Sequence, residues 1–278
     1  MKKILPVVLV LLSVVAQAQV NLFVFNDGDS GKVKCDTLQY VVSYDMTYVD
    51  DSTKYDPKTE LMQLEVGKRC TKFYSYERMQ MDSVMEARVR QGNYDFNDLA
   101  GGNIEWELYK GHPKEGHTTW LQSVGSNRFM VVEPITMPEW QLDGDSTMDI
   151  LGYKCHQATA NFKGRRWTVW YTEDIPLGEG PWLLAGLPGL VLRAYDLQQH
   201  YVFEAKGMRQ VKDESFMTYS GNRYEEISRR EFNREIRRYK ENVIAYLKDN
   251  PQMKVTITGA DGVPLSSLKE PYNPIERE

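Results

Sequence analysis

The stretch Gly186-Leu187-Pro188-Gly189-Leu190-Val191-Leu192 decides how this chain is read, together with Trp170-Tyr171-Thr172 and Gly180-Pro181-Trp182 just before it. Proline sets φ for the second position of a turn and glycine tolerates the positive φ of the third, so Leu187 to Leu190 reads as a type II turn. The residues that follow alternate. Leu190, Leu192 and Ala194 share one face, and Val191, Arg193 and Tyr195 the other, as in a half-buried strand. The motif is first a folding device that turns the chain into a strand.

Working outward, the same alternation with tight turns recurs on both sides. Leu38 to Tyr48 reads as a strand. Leu61 to Val66 and Cys70 to Tyr74 read as a hairpin around Gly67-Lys68. Ile104 to Tyr109, His117 to Val124 and Arg128 to Glu133 add three strands, and Tyr153 to Ala160 with Arg166 to Thr172 form a hairpin around Lys163-Gly164. Tyr201 to Ala205 and Val255 to Thr258 read as later strands. Successive strands joined by short turns predict an antiparallel sheet. Two segments have helical spacing instead. One is Tyr76 to Arg90. The other is Arg229 to Lys248, opened by the capping box Ser228-Arg229-Arg230-Glu231 and striped by Phe232, Ile236, Tyr239, Val243, Tyr246 and Leu247.

The N-terminus carries Lys2 and Lys3, an apolar run from Ile4 to Val15, and Ala16-Gln17-Ala18, the pattern of a cleaved signal peptide. The apolar run is too short to span a bilayer, so the reading is periplasmic or secreted, with no transmembrane anchor in the mature chain. Losing the two lysines takes the formal net charge from −5 to −7, which argues against nucleic acid as a partner. Three cysteines in an oxidising compartment allow at most one internal bridge. Cys70 and Cys155 lie in strand-like segments and are the candidate disulfide, with three unrelated thiols as the alternative.

Trp140 to Leu192 resembles the GLPGLI family of secreted Bacteroidetes proteins, whose motif stands here as Gly186, Leu187, Pro188, Gly189, Leu190 and Val191. Trp140-Gln141-Leu142, Gly152-Tyr153-Lys154-Cys155, Trp170-Tyr171-Thr172, Lys72-Phe73-Tyr74-Ser75 and Tyr272-Asn273-Pro274-Ile275-Glu276 also resemble it. The resemblance implies a signal-bearing envelope protein and brings no catalytic residue. The domain plan is a signal peptide over 1–18, a polar and mobile segment over 19–36, one β-rich domain over 37–270 and a polar tail over 271–278. The expected fold is mainly β with α (α+β): a curved antiparallel sheet with one long amphipathic helix near the C-terminus. By fold-level analogy it is similar to the half-barrel of periplasmic lipoprotein carriers. In that geometry Tyr44, Trp106, Trp120, Trp167, Tyr171 and Leu192 line a concave ligand-binding face. In a chain with 12% aromatic residues they can equally be core.

No Gly-x-Ser-x-Gly elbow and no phosphate loop occurs. Cys155 and His156 are strand neighbours and point to opposite faces. His112, Glu115 and His117 share one short loop with donors suited to zinc or copper. Asp143 to Asp149 mimics the start of a calcium loop, but Met148 and Lys154 stand where glycine and glutamate are needed, so the match fails and the acidic stretch reads as a solubilising connection. The leading expectation is a non-enzymatic envelope module, without cofactor, that binds a lipid, a lipidated peptide or an outer-membrane protein. The alternative is a secreted hydrolase or metal-binding protein using the His112, Glu115 and His117 loop. A third possibility makes Gly178 to Gly189, with Trp182, Leu183, Leu184 and Leu187, an exposed docking loop.

Overall fold

The computed structural model describes residues 31–93, 95–96, 98–99, 101–250, 256–257 and 263–277. The signal peptide lies outside the described residues, as do both ends of the expected strand from Val255 to Thr258; Thr256 and Ile257 within it are not strand.

Thirteen strands among the described residues make one large, mainly antiparallel open sheet. They are β1 (Val33–Val49), β2 (Pro57–Gly67), β3 (Thr71–Ser75), β4 (Glu107–Lys110), β5 (His117–Val124), β6 (Asn127–Pro134), β7 (Gln141–Ile150), β8 (Tyr153–Phe162), β9 (Arg165–Thr172), β10 (Leu190–Asp196), β11 (Tyr201–Gln210), β12 (Phe216–Tyr219) and β13 (Glu225–Glu226). The order across the sheet is β13-β6-β5-β4-β3-β2-β1-β11-β10-β9-β8-β7, with β12 beside the start of β1. Helix α1 (Tyr76–Arg90) follows β3, and α2 (Arg229–Glu241) and α3 (Val243–Lys248) follow the last strand.

Every hairpin read from turn chemistry is present, and α1 has the expected bounds. Four expectations are corrected. The single helix from Arg229 to Lys248 is two helices, because Asn242 leaves helical conformation (φ −158°, ψ 89°) and caps α3 by accepting from the Ala245 amide at 3.1 Å. The acidic Asp143 to Asp149 segment is part of β7, an edge strand whose polar, exposed side chains hide its period. The polar N-terminal segment is already strand from Val33. The tail is docked, with Asn273 and Ile275 buried.

The motif itself does not make the expected turn. Gly186 carries the positive φ (+90°), whereas Gly189 does not. Glycine is required at 189 for another reason: a Cβ there would lie 1.9 Å from the carbonyl oxygen of Thr172. The segment between β9 and β10 thus runs against β9 and turns inward. Trp182, Leu183, Leu184 and Leu187 are at most 4% exposed. At about 2 kcal/mol for each buried side chain, this inward turn contributes on the order of 8 kcal/mol. The exposed docking loop is therefore core.

These side chains fill the face of the sheet that also carries Tyr44, Phe73, Trp106, Trp120, Trp167 and Phe203. Ring contacts link Phe162, Trp182, Trp167, Phe203, Phe73, Trp106 and Trp120 in series across it, ending in a stacked Trp106 and Trp120 pair at 4.7 Å. Phe232, Ile236 and Tyr246 of α2 and α3 cover the same face. No helix among the described residues is long and apolar enough to cross a membrane.

Candidate functional site

With the core face filled, the chemistry gathers on the opposite face of β2, β3 and β4. Alternation places Gln63 and Glu65, then Lys72 and Tyr74, then Glu107 and Tyr109 side by side on these three strands. Cross-strand register sets Glu65 against Lys72 and Tyr74 against Glu107. Two elements wall the patch. On one side is α1, with Arg78 and Asp82. On the other, Phe216–Glu226 leaves β1, crosses β4 and reaches β6.

Glu107 is held by three donors. The Lys72 ammonium lies at 3.1 Å, the Tyr109 hydroxyl donates at 2.8 Å and the Ser220 hydroxyl at 3.3 Å. Tyr109 Oη lies as close to the Thr218 carbonyl, at 2.9 Å, which ties the crossing segment to the sheet. The Tyr74 hydroxyl lies 2.9 Å from Glu65 Oε1 and 3.0 Å from Gln63 Oε1. The Lys72 ammonium sits over the Tyr74 ring, 4.4 Å from its centroid. At the α1 side Arg78 bridges Asp82 at 3.0 Å and Glu105 at 3.2 Å.

The electrostatics separate the carboxyl groups. Burial pushes Glu65 above the ordinary glutamate value, and Lys72 and Tyr74 only partly oppose it. Burial pushes Glu107 upward too, but Lys72 and Tyr109 outweigh it and leave the group below its ordinary value. Glu105 and Asp82 are raised, chiefly by burial. The two carboxyls that share Lys72 are thus driven in opposite directions, the arrangement in which acid and base roles separate. The Glu107 side chain keeps 24% of its surface exposed beside a Lys72 that keeps 6%, so the carboxylate is reachable from solvent while the cation that tunes it is sheltered. Glu60 differs. It is 1% exposed and spends its carboxylate on the amides of Asn103 and Ile104, at 2.7 and 3.2 Å, which is a structural duty.

The residues expected from sequence to carry function are elsewhere. Tyr44, Trp106, Trp120, Trp167, Tyr171 and Leu192 are all at most 8% exposed and belong to the core cluster. Leu192 lines a groove of about 180 Å³ with Val42, Ile175 and Ala205. That is below the 300–1,000 Å³ typical of ligand pockets. His112, Glu115 and His117 do not converge. The His112 ring packs on Tyr219 at 4.6 Å, His117 Nδ1 lies 2.9 Å from the Glu115 carbonyl, and the Glu115 side chain is exposed. Among the described residues no group of three or more His, Cys, Asp or Glu is placed to hold a metal ion. Cys70 and Cys155 do not pair. Cys155 lies in the main core on β8, and Cys70 packs with Leu38, Val41 and Met217. The alternating polar positions of β2, β3 and β4 were the signal that could have found the site. Only their pairing across strands makes it a site.

A family model for the N-terminal domain of N-glycanases ("N-glycanase peptide, N-terminal domain") matches residues 134–228, about a third of the chain. Two solved structures of PNGF-II, in space groups P21 and C2, are similar at 16% and 14% identity with TM-scores of 0.48 and 0.47. The matches cover 74% and 73% of this chain and 34% and 33% of those chains, so this chain spans about a third of their length. No curated relative matches. The family match overturns the GLPGLI assignment. It also removes, together with the filled core face, the reading as a non-enzymatic lipid or lipopeptide module.

Proposed function

We propose that the chain works in N-glycan cleavage, as a hydrolase or hydrolase domain that acts on glycoproteins. The match of residues 134–228 to the N-glycanase N-terminal domain carries this reading. The matched segment includes Thr218, Ser220 and Tyr224, which border the carboxylate site, so the match and the chemistry meet there. The hydrolase alternative therefore stands without its histidine loop. Its acid is Glu65 and its base Glu107, with Lys72 keeping the base ionised. Gln63, Tyr74 and Ser220 offer the hydroxyl and amide groups that bind a polyhydroxylated ligand.

Incubating the protein with an N-glycosylated glycoprotein and analysing both products by mass spectrometry tests the proposal. Release of intact glycan, lost in Glu107→Gln, is the expected result. If wild type releases no glycan and holds no glycopeptide on an affinity column, the proposal fails.

A further inference from the structure

On the same side of the sheet, beside the β2–β3 turn, two cysteines stand together although they are far apart in sequence. Cys35 is the extra residue of a bulge: in the pairing of β1 with β12, Lys34 faces Thr218 and Asp36 faces Met217, leaving Cys35 without a partner across the strands. Such an insertion re-aims a side chain. Here it turns Cys35 to Met217, with its Sγ 3.4 Å from the Met217 carbonyl oxygen. Cys70 Sγ lies 3.5 Å from the sulfur of the same methionine. The backbones are locked together as well. Asp36 Oδ2 accepts from the amides of Arg69 at 2.6 Å and Cys70 at 3.0 Å, and the Arg69 guanidinium donates to the Cys35 carbonyl at 3.3 Å.

We propose that Cys35 and Cys70 are a thiol pair that closes into an intramolecular disulfide when the chain meets an external disulfide. The Cys35 thiolate attacks one sulfur of the oxidant RSSR, forming Cys35–S–S–R and releasing RS⁻. Cys70 then loses its proton, attacks the Cys35 sulfur and releases the second RS⁻. The two protein thiols are oxidised, RSSR is reduced to two RSH, and the two protons go to the released thiolates. The assignment of first attacker follows from environment. Cys35 is part-exposed, and its hydrogen bond with Cys70 lowers its pKa. Cys70 is buried beside Asp36, and its thiol is raised by that bond to Cys35 and by burial. Cys155 has no such neighbour and stays out of the exchange. It is buried on β8, and burial pushes its thiol up to about 11.

The test treats the full chain with oxidised glutathione at pH 8, blocks free thiols in denaturant and maps the peptides without reduction. The expected product is a Cys35–Cys70 cross-linked peptide with Cys155 blocked. The oxidised protein should melt several °C above the reduced one, because the bond constrains the unfolded chain. Cys70→Ser should trap glutathione on Cys35, and Cys155→Ser should leave the bond intact. Cross-linking to Cys155, or Cys35 and Cys70 both recovered blocked, overturns the proposal. Because wild type and the Cys155→Ser chain are mapped in the same way, the result does not depend on whether Cys70→Ser folds.

Discussion

Glu107 and Glu65 differ by what surrounds them. A group with a lowered value stays ionised further into acid, and one with a raised value keeps its proton further towards neutral pH. The state with Glu65 protonated and Glu107 ionised is therefore populated between the two values. Under the proposed function, glycan release should follow a bell-shaped pH profile. Activity falls below the optimum as Glu107 protonates and above it as Glu65 ionises. Glu107→Gln should lower kcat/KM by about 10²- to 10⁴-fold, and Glu65→Gln should remove the alkaline limb. Profiles unchanged in both variants would place the chemistry elsewhere. A second residue-scale expectation concerns Leu187, which is 4% exposed. Leu187→Asp buries a charge with no partner and should cost about 4 kcal/mol or more, read as a collapsed urea midpoint or loss of near-ultraviolet dichroism. A normally folded Leu187→Asp protein would restore the docking-loop reading.

At the scale of elements, local signals were legible where they were chemical. Ser228 and Glu231 form the capping box expected from their spacing, with the Ser228 hydroxyl accepting from the Glu231 amide at 3.2 Å and the Glu231 carboxylate accepting from the Ser228 amide at 3.0 Å. Ser228→Ala should destabilise the fold by about 1 kcal/mol in urea titration, whereas Ser228→Asn should be nearly neutral. A loss near zero for Ser228→Ala would mean that packing of Phe232 and Ile236 alone holds the helix start. The break at Asn242 was not legible, since the apolar stripe continues through it. The break lets the second half reach a second surface: Phe232, Ile236 and Tyr246 join the main core, while Val243, Ile244 and Leu247 pack around Ile257. Strand β7 was missed for the opposite reason. An edge strand facing solvent needs no apolar alternation, so its sequence looks like a linker.

For the whole molecule, the C-terminal tail stitches the middle of the sheet together. Arg165 on β9 pairs with Asp196 on β10 at 2.7 Å, both side chains fully enclosed, and donates to the carbonyls of Pro274 and Ile275. Tyr201 donates to the Asn273 carbonyl, and Asn273 donates to the Val49 carbonyl on β1. Asp196→Asn leaves a buried guanidinium without its counter-charge and should cost about 3 kcal/mol or more. Asp45→Asn, at the exposed pair with Lys206, should cost under about 1 kcal/mol. Equal losses at the two sites in urea titration would contradict this division.

The sequence by itself determined most of the strands, their hairpins, α1 and the cap of α2, because alternation, turn residues and capping act between near neighbours in the chain. Only the tertiary structure decided which face of the sheet is filled and which is left for chemistry. The β9–β10 connection is driven inward by apolar side chains that could equally have covered a surface. Carboxylates on β2 and β4 become a graded pair only through the burial of Glu65 and through Lys72, which the strand between them holds against Glu107. Burial and cross-strand pairing are properties of the assembled sheet, and no single segment carries them.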